Sequence, residues 1–166
     1  MGRVVLDPCC GSKMFWFDKE DPRVIFGDKR TESHILCDGR LLNIAPDVEL
    51  DFTALSFNDN QFHHVVFDPP HLLQCGETAW IGKKYGILGK DWRDMLRKGF
   101  AECFRVLAPN GTLIFKWNEH SIPVSQILAL TPERPLVGQQ CGKNAKTHWM
   151  VFLKAEITAP ATSPAS

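Results

Sequence analysis

Short apolar runs alternate with longer mixed segments along this chain, and several of the runs end at Asp, Gly or Pro. Five runs are rich in β-branched and aromatic residues, a composition typical of buried strands. They cover residues 4–6, 24–26, 65–67, 112–115 and 149–153. The pattern therefore predicts a central sheet that is covered on both faces.

An amphipathic helix is predicted between the third and the fourth of these runs. Its apolar residues fall at helical spacing and share one face: Trp92, Met95, Leu96, Phe100, Cys103, Phe104 and Leu107. We expect Asp91 to cap the start of this helix, and Pro109 with Gly111 to end it. Strands that alternate with helices favour a mainly parallel sheet with right-handed crossovers. Residues 135–138 and 148–154 flank a polar loop and predict a final hairpin that adds one antiparallel strand. The expected fold is an α/β doubly wound domain.

Length and composition indicate one globular domain. The chain has 166 residues, of which 44% are hydrophobic, enough for a single core. We expect this domain to cover residues 1–155, followed by a disordered tail over 156–166 whose small residues and prolines bury little surface. No apolar run is long enough to cross a membrane, and none resembles a secretory signal. We therefore expect a cytoplasmic protein with free thiols and no membrane partner.

Net charge limits the partners that the chain can bind. Its 19 Lys and Arg balance its 19 Asp and Glu, whereas non-specific duplex binding through phosphates favours a basic protein. One segment nevertheless mixes aromatic and cationic residues, a composition suited to unstacked bases: Trp80, Lys83, Lys84 and Tyr85. Trp117 is expected to line the same mouth. The alternative is a loop that covers the sheet edge with its tryptophans turned inward.

Three of the predicted strands are followed by an aspartate: Asp7, Asp28 and Asp68. Aspartate is a common turn residue, but ligands of doubly wound sheets bind beyond the carboxyl ends of the strands. Three aspartates at this edge favour a binding site. Asp28 follows Asp7 at a spacing typical of a carboxylate that binds ribose hydroxyls.

The turn after the first strand contains Pro8, Cys9 and Gly11 but no dinucleotide fingerprint. Gly11 lets the backbone approach a ligand closely. The carboxylate of Asp7 repels a pyrophosphate and attracts an ammonium group. These features favour a nucleoside cofactor that carries an amino-acid part over a nicotinamide dinucleotide.

The sequence Asp68-Pro69-Pro70-His71 ends the third apolar run and is the strongest signal in the chain. Two prolines fix the backbone and supply no N–H group, so the Asp68 carboxylate and the Pro69 carbonyl are expected to be rigid acceptors. Such a pair can hold both N–H groups of an exocyclic base amine and favour its nucleophilic form. His71 offers a flat face for stacking. The alternative is an ordinary proline-rich loop.

These residues resemble a known family. Asp7-Pro8-Cys9-Cys10-Gly11-Ser12 resembles motif I, and Asp68-Pro69-Pro70-His71 resembles motif IV, of class I S-adenosylmethionine-dependent amino-methyltransferases. Residues 104–113 are similar to the R-V-L-K-P-G-G stretch before their fifth strand. The likeness spans roughly residues 3–154 and is closest to small bacterial and phage nucleic-acid adenine methyltransferases. It implies a Rossmann-like, mainly parallel seven-stranded sheet with a C-terminal antiparallel strand.

The resemblance also implies a cofactor, S-adenosylmethionine, and no metal. Asp7 and Gly11 would hold its methionine end, together with Pro8 and Cys9, and Asp28 would hold its ribose. By likeness to a G-D-A-x-x-L motif, Asp51 would bind the cofactor's adenine amine and Phe52 would pack on its ring, with Asp38 as a competitor for this role. The chain departs from the family at Lys13, where the turn commonly has Gly, and at His71, where motif IV commonly has a larger aromatic residue.

The implied reaction is methyl transfer to a base amine, with adenine N6 of DNA favoured and cytosine N4 or an RNA base left open. No region of the size of a target-recognition domain is evident, so a homodimer or a protein partner could supply recognition. Two other interpretations stay open. One is a catalytically silent cofactor-binding module that supports a partner enzyme, and the other is a methyltransferase for a protein or a small molecule.

Overall fold

The computed structural model describes residues 2–73, 82, 84, 86–140 and 146–156. Apart from residue 156, the predicted tail lies outside the described residues, as do Trp80, Lys83 and Tyr85. The described elements are, in chain order, β1 (Val5–Asp7), β2 (Val24–Asp28), β3 (Glu32–Ile35), β4 (Leu41–Ile44), β5 (Val48–Glu49), β6 (Phe62–Phe67), α1 (Trp92–Val106), β7 (Leu107–Asn118), α2 (Val124–Leu128), β8 (Val137–Gln140) and β9 (Thr147–Leu153).

Seven of these strands form one sheet in the order β5-β2-β1-β6-β7-β9-β8. The first five strands of that order run parallel, and β9 is antiparallel to both of its neighbours. This arrangement confirms the predicted Rossmann-like fold class and the final hairpin. Strand order reverses between β1 and β6, because the chain first builds outward through β2 and β5 and then returns. In doubly wound sheets, such a reversal opens a crevice for ligands.

The connections contain fewer helices than expected. Residues 8–23, between β1 and β2, form turns, and the link from β2 to β5 contains the separate antiparallel hairpin of β3 and β4. The backbone explains the first difference, since Gly11 and Lys13 both have positive φ angles, of 51° and 55°. A right-handed helix requires a negative φ. The simple alternation of strand and helix was therefore wrong in this half of the sheet.

Helix α1 lies where the apolar spacing predicted it, but both of its ends differ from expectation. Asp91 makes no side-chain capping hydrogen bond, and the helix stops at Val106 so that Leu107 already belongs to β7. Lys154 Nζ donates hydrogen bonds to the carbonyls of Phe104 and Leu107, at 2.7 Å and 2.6 Å. These bonds replace the intrahelical partners that carbonyls at the end of a helix lack. Because β7 begins at Leu107, Pro109 and Gly111 lie within the strand rather than in a turn before it.

The core lies between α1 and the sheet. Along β7, alternate side chains at Leu113, Phe115 and Trp117 are fully buried. Gly99 allows the helix to approach closely, because a Cβ atom there would lie 2.8 Å from the rings of both Phe52 and Phe67. No helix within the described residues is both long and apolar enough to cross a lipid bilayer.

Candidate active site

A cavity of about 290 Å³ opens beyond the carboxyl ends of β1, β2 and β6. It lies at the reversal of strand order, the place where a ligand of such a sheet is expected. The predicted site residues that line it are Pro8, Cys9, Gly11, Asp28, Phe52, Asp68, Pro69, Pro70 and His71. The structure therefore brings the two motifs, which are far apart in sequence, to one cavity.

Asp7 lies beneath this cavity rather than on its lining. Its carboxylate is 1% exposed and accepts hydrogen bonds from the Cys9 backbone N–H, at 3.2 Å, and from the Trp16 indole N–H, at 2.8 Å. Burial raises the pKa of Asp7 to about 7, with smaller contributions from the negative charges of Asp68 and Asp28. Asp7 therefore holds the first turn in place from below.

Asp28 ties the end of β2 to the same turn. Its Oδ2 accepts the Gly11 backbone N–H at 2.9 Å, and its Oδ1 accepts from Arg30 twice, from the backbone N–H at 2.9 Å and from Nε at 3.3 Å. A carboxylate has about four acceptor positions, so these three bonds leave room for one more donor on Oδ2. A Cβ atom built on Gly11 would meet nothing within 4 Å, which shows that the turn is open at this point.

Asp68 begins the second wall of the cavity, directly after β6. Its Oδ2 accepts a hydrogen bond from Lys116 Nζ at 3.0 Å, and both side chains are largely buried. Burial raises the pKa of Asp68, while the Lys116 charge opposes the rise. The prolines that follow have no N–H to donate, so their carbonyls and the free side of the carboxylate present acceptors only.

His71 closes this wall and is uncharged at neutral pH. Burial, together with the positive charges of Lys116 and His120, lowers its pKa to about 4. Its ring meets Trp117 edge to face, with the ring centroids 6.4 Å apart. The ring is thus fixed by packing and offers stacking surface rather than charge.

Phe52 and Asp51 were expected to contact the same part of the cofactor, but only Phe52 lines the cavity. Phe52 lines the cavity and packs against Phe67 with ring centroids 5.3 Å apart. The Asp51 carboxylate lies outside the lining and accepts from Lys29 Nζ at 2.9 Å and from the Thr53 hydroxyl at 2.7 Å. Its expected contact with a cofactor stays a prediction. Its competitor Asp38 pairs instead with Arg40 between β3 and β4.

The structure corrects the expectation for Trp117. This side chain is fully buried, and its indole N–H donates to the Ile122 carbonyl at 2.9 Å. A ring in that position cannot stack on a nucleic-acid base. Of the other residues expected to contact nucleic acid, Lys84 lines the cavity, and Trp80, Lys83 and Tyr85 lie outside the described residues.

Several residues of the site were not predicted. Met14, Phe15, Arg30 and Met95 line the cavity, and the pairing of Lys116 with Asp68 was likewise not predicted. One sequence signal could have identified Met14 and Phe15, since residues 14–17, directly after the first turn, are all apolar.

Comparison with known proteins gives the fold. No family model matches the chain, and no curated protein matches it. Among solved structures, the PH0226 protein of Pyrococcus horikoshii is 18% identical, with 91% of this chain and 81% of that chain covered and a TM-score of 0.56. A SAM-dependent methyltransferase of Methanosarcina mazei is 12% identical, with 92% of each chain covered and a TM-score of 0.56. The chain has the class I fold of S-adenosylmethionine-dependent methyltransferases.

A third neighbour of this methyltransferase fold was solved with ligands. It is the 1,6-didemethyltoxoflavin-N1-methyltransferase of Burkholderia thailandensis, bound to 1,6-didemethyltoxoflavin and S-adenosylhomocysteine. It is 13% identical to this chain, with a TM-score of 0.51. The alignment covers 92% of this chain and 71% of that chain. Identities this low describe the architecture, so the acceptor must be argued from this chain's own residues.

Proposed function

We propose that this chain is an S-adenosylmethionine-dependent methyltransferase that acts on an exocyclic base amine, with adenine N6 of DNA as its leading acceptor. The observation that carries the proposal is the shared cavity of the two motifs. The turn that contains Gly11 forms one wall, and the acceptors of Asp68 and Pro69 form another. A cofactor and an amine held by these walls would lie next to each other, as group transfer requires.

The cavity suits a cationic nucleoside cofactor. Its volume of about 290 Å³ is near the lower end of the range of small-molecule sites, roughly 300–1,000 Å³. The carboxylates of Asp28 and Asp68 line it, and Asp7 lies beneath it with a pKa raised by burial and then by these acidic neighbours. A positive ligand would relieve this repulsion. The Asp28 carboxylate keeps one acceptor position for a ribose hydroxyl, and Phe52 offers a ring face.

The protein's part in the reaction would be to hold and orient the amine. When bound, S-adenosylmethionine supplies an electrophilic methyl group on a sulfonium. Asp68 Oδ1 accepts no hydrogen bond from the described residues, so it and the Pro69 carbonyl are available to the two N–H groups of a base amine. Holding both N–H groups favours a pyramidal nitrogen whose lone pair is less delocalised into the ring, which makes the nitrogen more nucleophilic.

Neutral aromatic and apolar surfaces near these acceptors support a planar acceptor. The uncharged His71 ring, Phe15 and Pro70 all line the cavity. A base in a duplex would have to flip out of the stack to reach them. The chain has no net charge, so we expect recognition of a polymer to depend on a second copy or on a partner protein.

The test is to identify the modified base directly. The purified full chain is incubated with methyl-labelled S-adenosylmethionine and, in parallel, with single-stranded DNA, duplex DNA and RNA. Mass spectrometry of the digested nucleosides then names the product, which we expect to be N6-methyl-2′-deoxyadenosine from DNA. Label in cytosine N4 or in RNA would change the acceptor but keep the base-amine chemistry.

Two results would overturn the proposal. Label that enters only proteins or small metabolites of a cell extract would favour a different acceptor class. Measurable cofactor binding without label in any pool would favour a silent module that supports a partner enzyme. A variant with Asp94, an exposed residue of α1, changed to Ala serves as the matched control and should behave as the wild type.

A further inference from the structure

Lys116 reaches Asp68 because of the register between two parallel strands. In the pairing of β6 with β7, Val66 lies beside Ile114 and Phe67 beside Phe115. The next position places Asp68 beside Lys116, and the two side chains form an ion pair of 3.0 Å. Their exposed fractions are 17% for Lys116 and 16% for Asp68. A pair this well shielded from water is not the weak, screened kind found on surfaces.

Aromatic rings hold the Lys116 ammonium from its other side. The Lys116 Nζ atom lies 4.7 Å from the centroid of the Phe15 ring and 5.9 Å from that of Trp149. These two rings pack edge to face at 5.4 Å, and Trp149 is the residue paired with Lys116 in β9. The ring faces attract a cation, so the two rings and the carboxylate together restrain the ammonium.

We propose that Lys116 is a positioning residue that fixes Asp68 through Oδ2 and so presents Oδ1, beside the Pro69 carbonyl, to the acceptor amine. This inference rests on the proposed function, in which Asp68 holds that amine. Lys116 touches neither the cofactor nor the amine in this scheme. Its contribution is to keep the carboxylate ionised and to prevent it from rotating away.

The charges around the pair explain why a cation is needed there. Asp7 and Cys9, from β1 and its turn, are both affected by the Asp68 charge, and His71 and His120 lie near Lys116. Without Lys116, the Asp68 carboxylate would be buried near another carboxyl group, and no other cation among the described residues lowers its pKa. Burial and a neighbouring carboxyl group both favour the protonated form of Asp68. A protonated carboxyl group has one oxygen that carries the proton, so its two oxygens are no longer equivalent acceptors.

The test compares Lys116→Met, which removes the charge, with Lys116→Arg, which keeps it, and with Lys116→Gln as a second neutral variant should the first fail to fold. We expect Lys116→Met to lower kcat for base methylation by roughly 10- to 100-fold at neutral pH, with little change in cofactor affinity. The loss should shrink as pH rises, because more of Asp68 is then ionised. Lys116→Arg should recover most of the rate. Lys98→Met, in an exposed pair with Asp94 on α1, is the matched control.

A second measurement reports on Asp68 without any substrate. In protein labelled with ¹³C at the aspartate carboxyls, we expect the pKa of Asp68 to rise in Lys116→Met and Lys116→Gln and to return in Lys116→Arg. An unchanged titration, or an unchanged kcat in the neutral variants, overturns the positioning role. A wild-type chain that methylates no base amine would instead refute the proposed function, and the titration would then decide the role of Lys116 alone.

Discussion

Trp16 donates its indole N–H to Asp7 Oδ2 across 2.8 Å and supports a carboxyl group that is almost completely buried. Burial raises the pKa of Asp7 to about 7 even though this hydrogen bond opposes the rise. An unfolded chain has the ordinary aspartate pKa of about 3.9. Between these two values the folded state binds more protons than the unfolded state, so stability must fall as pH rises through this window.

We therefore predict that Asp7→Asn weakens this pH dependence. In the wild type without ligand, ionisation of Asp7 should lower the free energy of unfolding by up to about 4 kcal/mol between pH 4 and pH 7. An amide carries no charge at any of these pH values, so the variant should lose much of that slope. Urea unfolding at several pH values measures both curves. Asp94→Asn on the surface is the control, and a variant with the wild-type slope would contradict the assignment.

A second prediction concerns Arg105, which joins α1 to the segment before β6. Its guanidinium donates to the carbonyls of Leu55 and Phe57, each at 2.8 Å, and to the carboxylates of Glu102 and Asp59. Glu102 in turn accepts the Leu55 backbone N–H at 2.6 Å. Because Arg105→Met would leave these acceptors without their donor, we expect it to lower the free energy of unfolding by about 2–3 kcal/mol.

The same variant should affect the site, since the segment that Arg105 holds also carries Phe52, part of the cavity lining. We expect weaker binding of S-adenosylhomocysteine, measured by calorimetry at a temperature where the variant is folded. Arg105→Lys should recover only part of the stability, because an ammonium cannot reproduce the planar set of donors. Arg97→Met, at an exposed position of the same helix, is the control, and an equal loss there would rule out the specific role of Arg105.

The sequence predicted the features that depend on neighbours along the chain. Apolar runs located the main strands, and the residues directly after them, such as Gly11 and Asp68, line the cavity as the rule for doubly wound sheets requires. The apolar spacing in α1 also found the right face, with Leu96 and Phe100 buried. These patterns are local, so a single sequence is enough to recognise them.

The rest required distances between residues that are far apart in sequence. The pairing of Lys116 with Asp68 depends on the register of β7 against β6, which local patterns do not specify. Trp117 was misplaced because β7 was expected to stop near residue 115, whereas the alternation of buried residues continues through Trp117. The turn after β1 was predicted, but the strand–helix alternation was wrong between β1 and β2, because two positive φ angles, at Gly11 and Lys13, exclude a helix there.

A third prediction separates stacking from acid–base chemistry at His71. Burial, followed by the charges of Lys116 and His120, lowers its pKa to about 4, so the ring stays neutral between pH 6 and pH 8. We expect His71→Phe to keep kcat/KM within a few-fold, because a phenyl ring also stacks. His71→Ala should lose about tenfold or more. Steady-state methylation of an oligonucleotide measures both, and a Phe variant as poor as the Ala variant would show that a ring nitrogen is needed.

The last prediction addresses Asp68 itself. Asp68→Ala should abolish methyl transfer, a loss of at least about 100-fold, because one of the two acceptors of the amine is gone. Cofactor affinity should stay within a few-fold, since the cofactor is assigned to the walls formed by Gly11 and Asp28. The variant should also lower the pKa of Asp7, because the Asp68 charge contributes to its rise.

Single-turnover assays, calorimetry and the pH dependence of unfolding check these three outcomes, with Asp94→Ala as the control. Turnover close to that of the wild type would remove Asp68 from the reaction, whereas lost turnover together with lost cofactor binding would move it into the cofactor site.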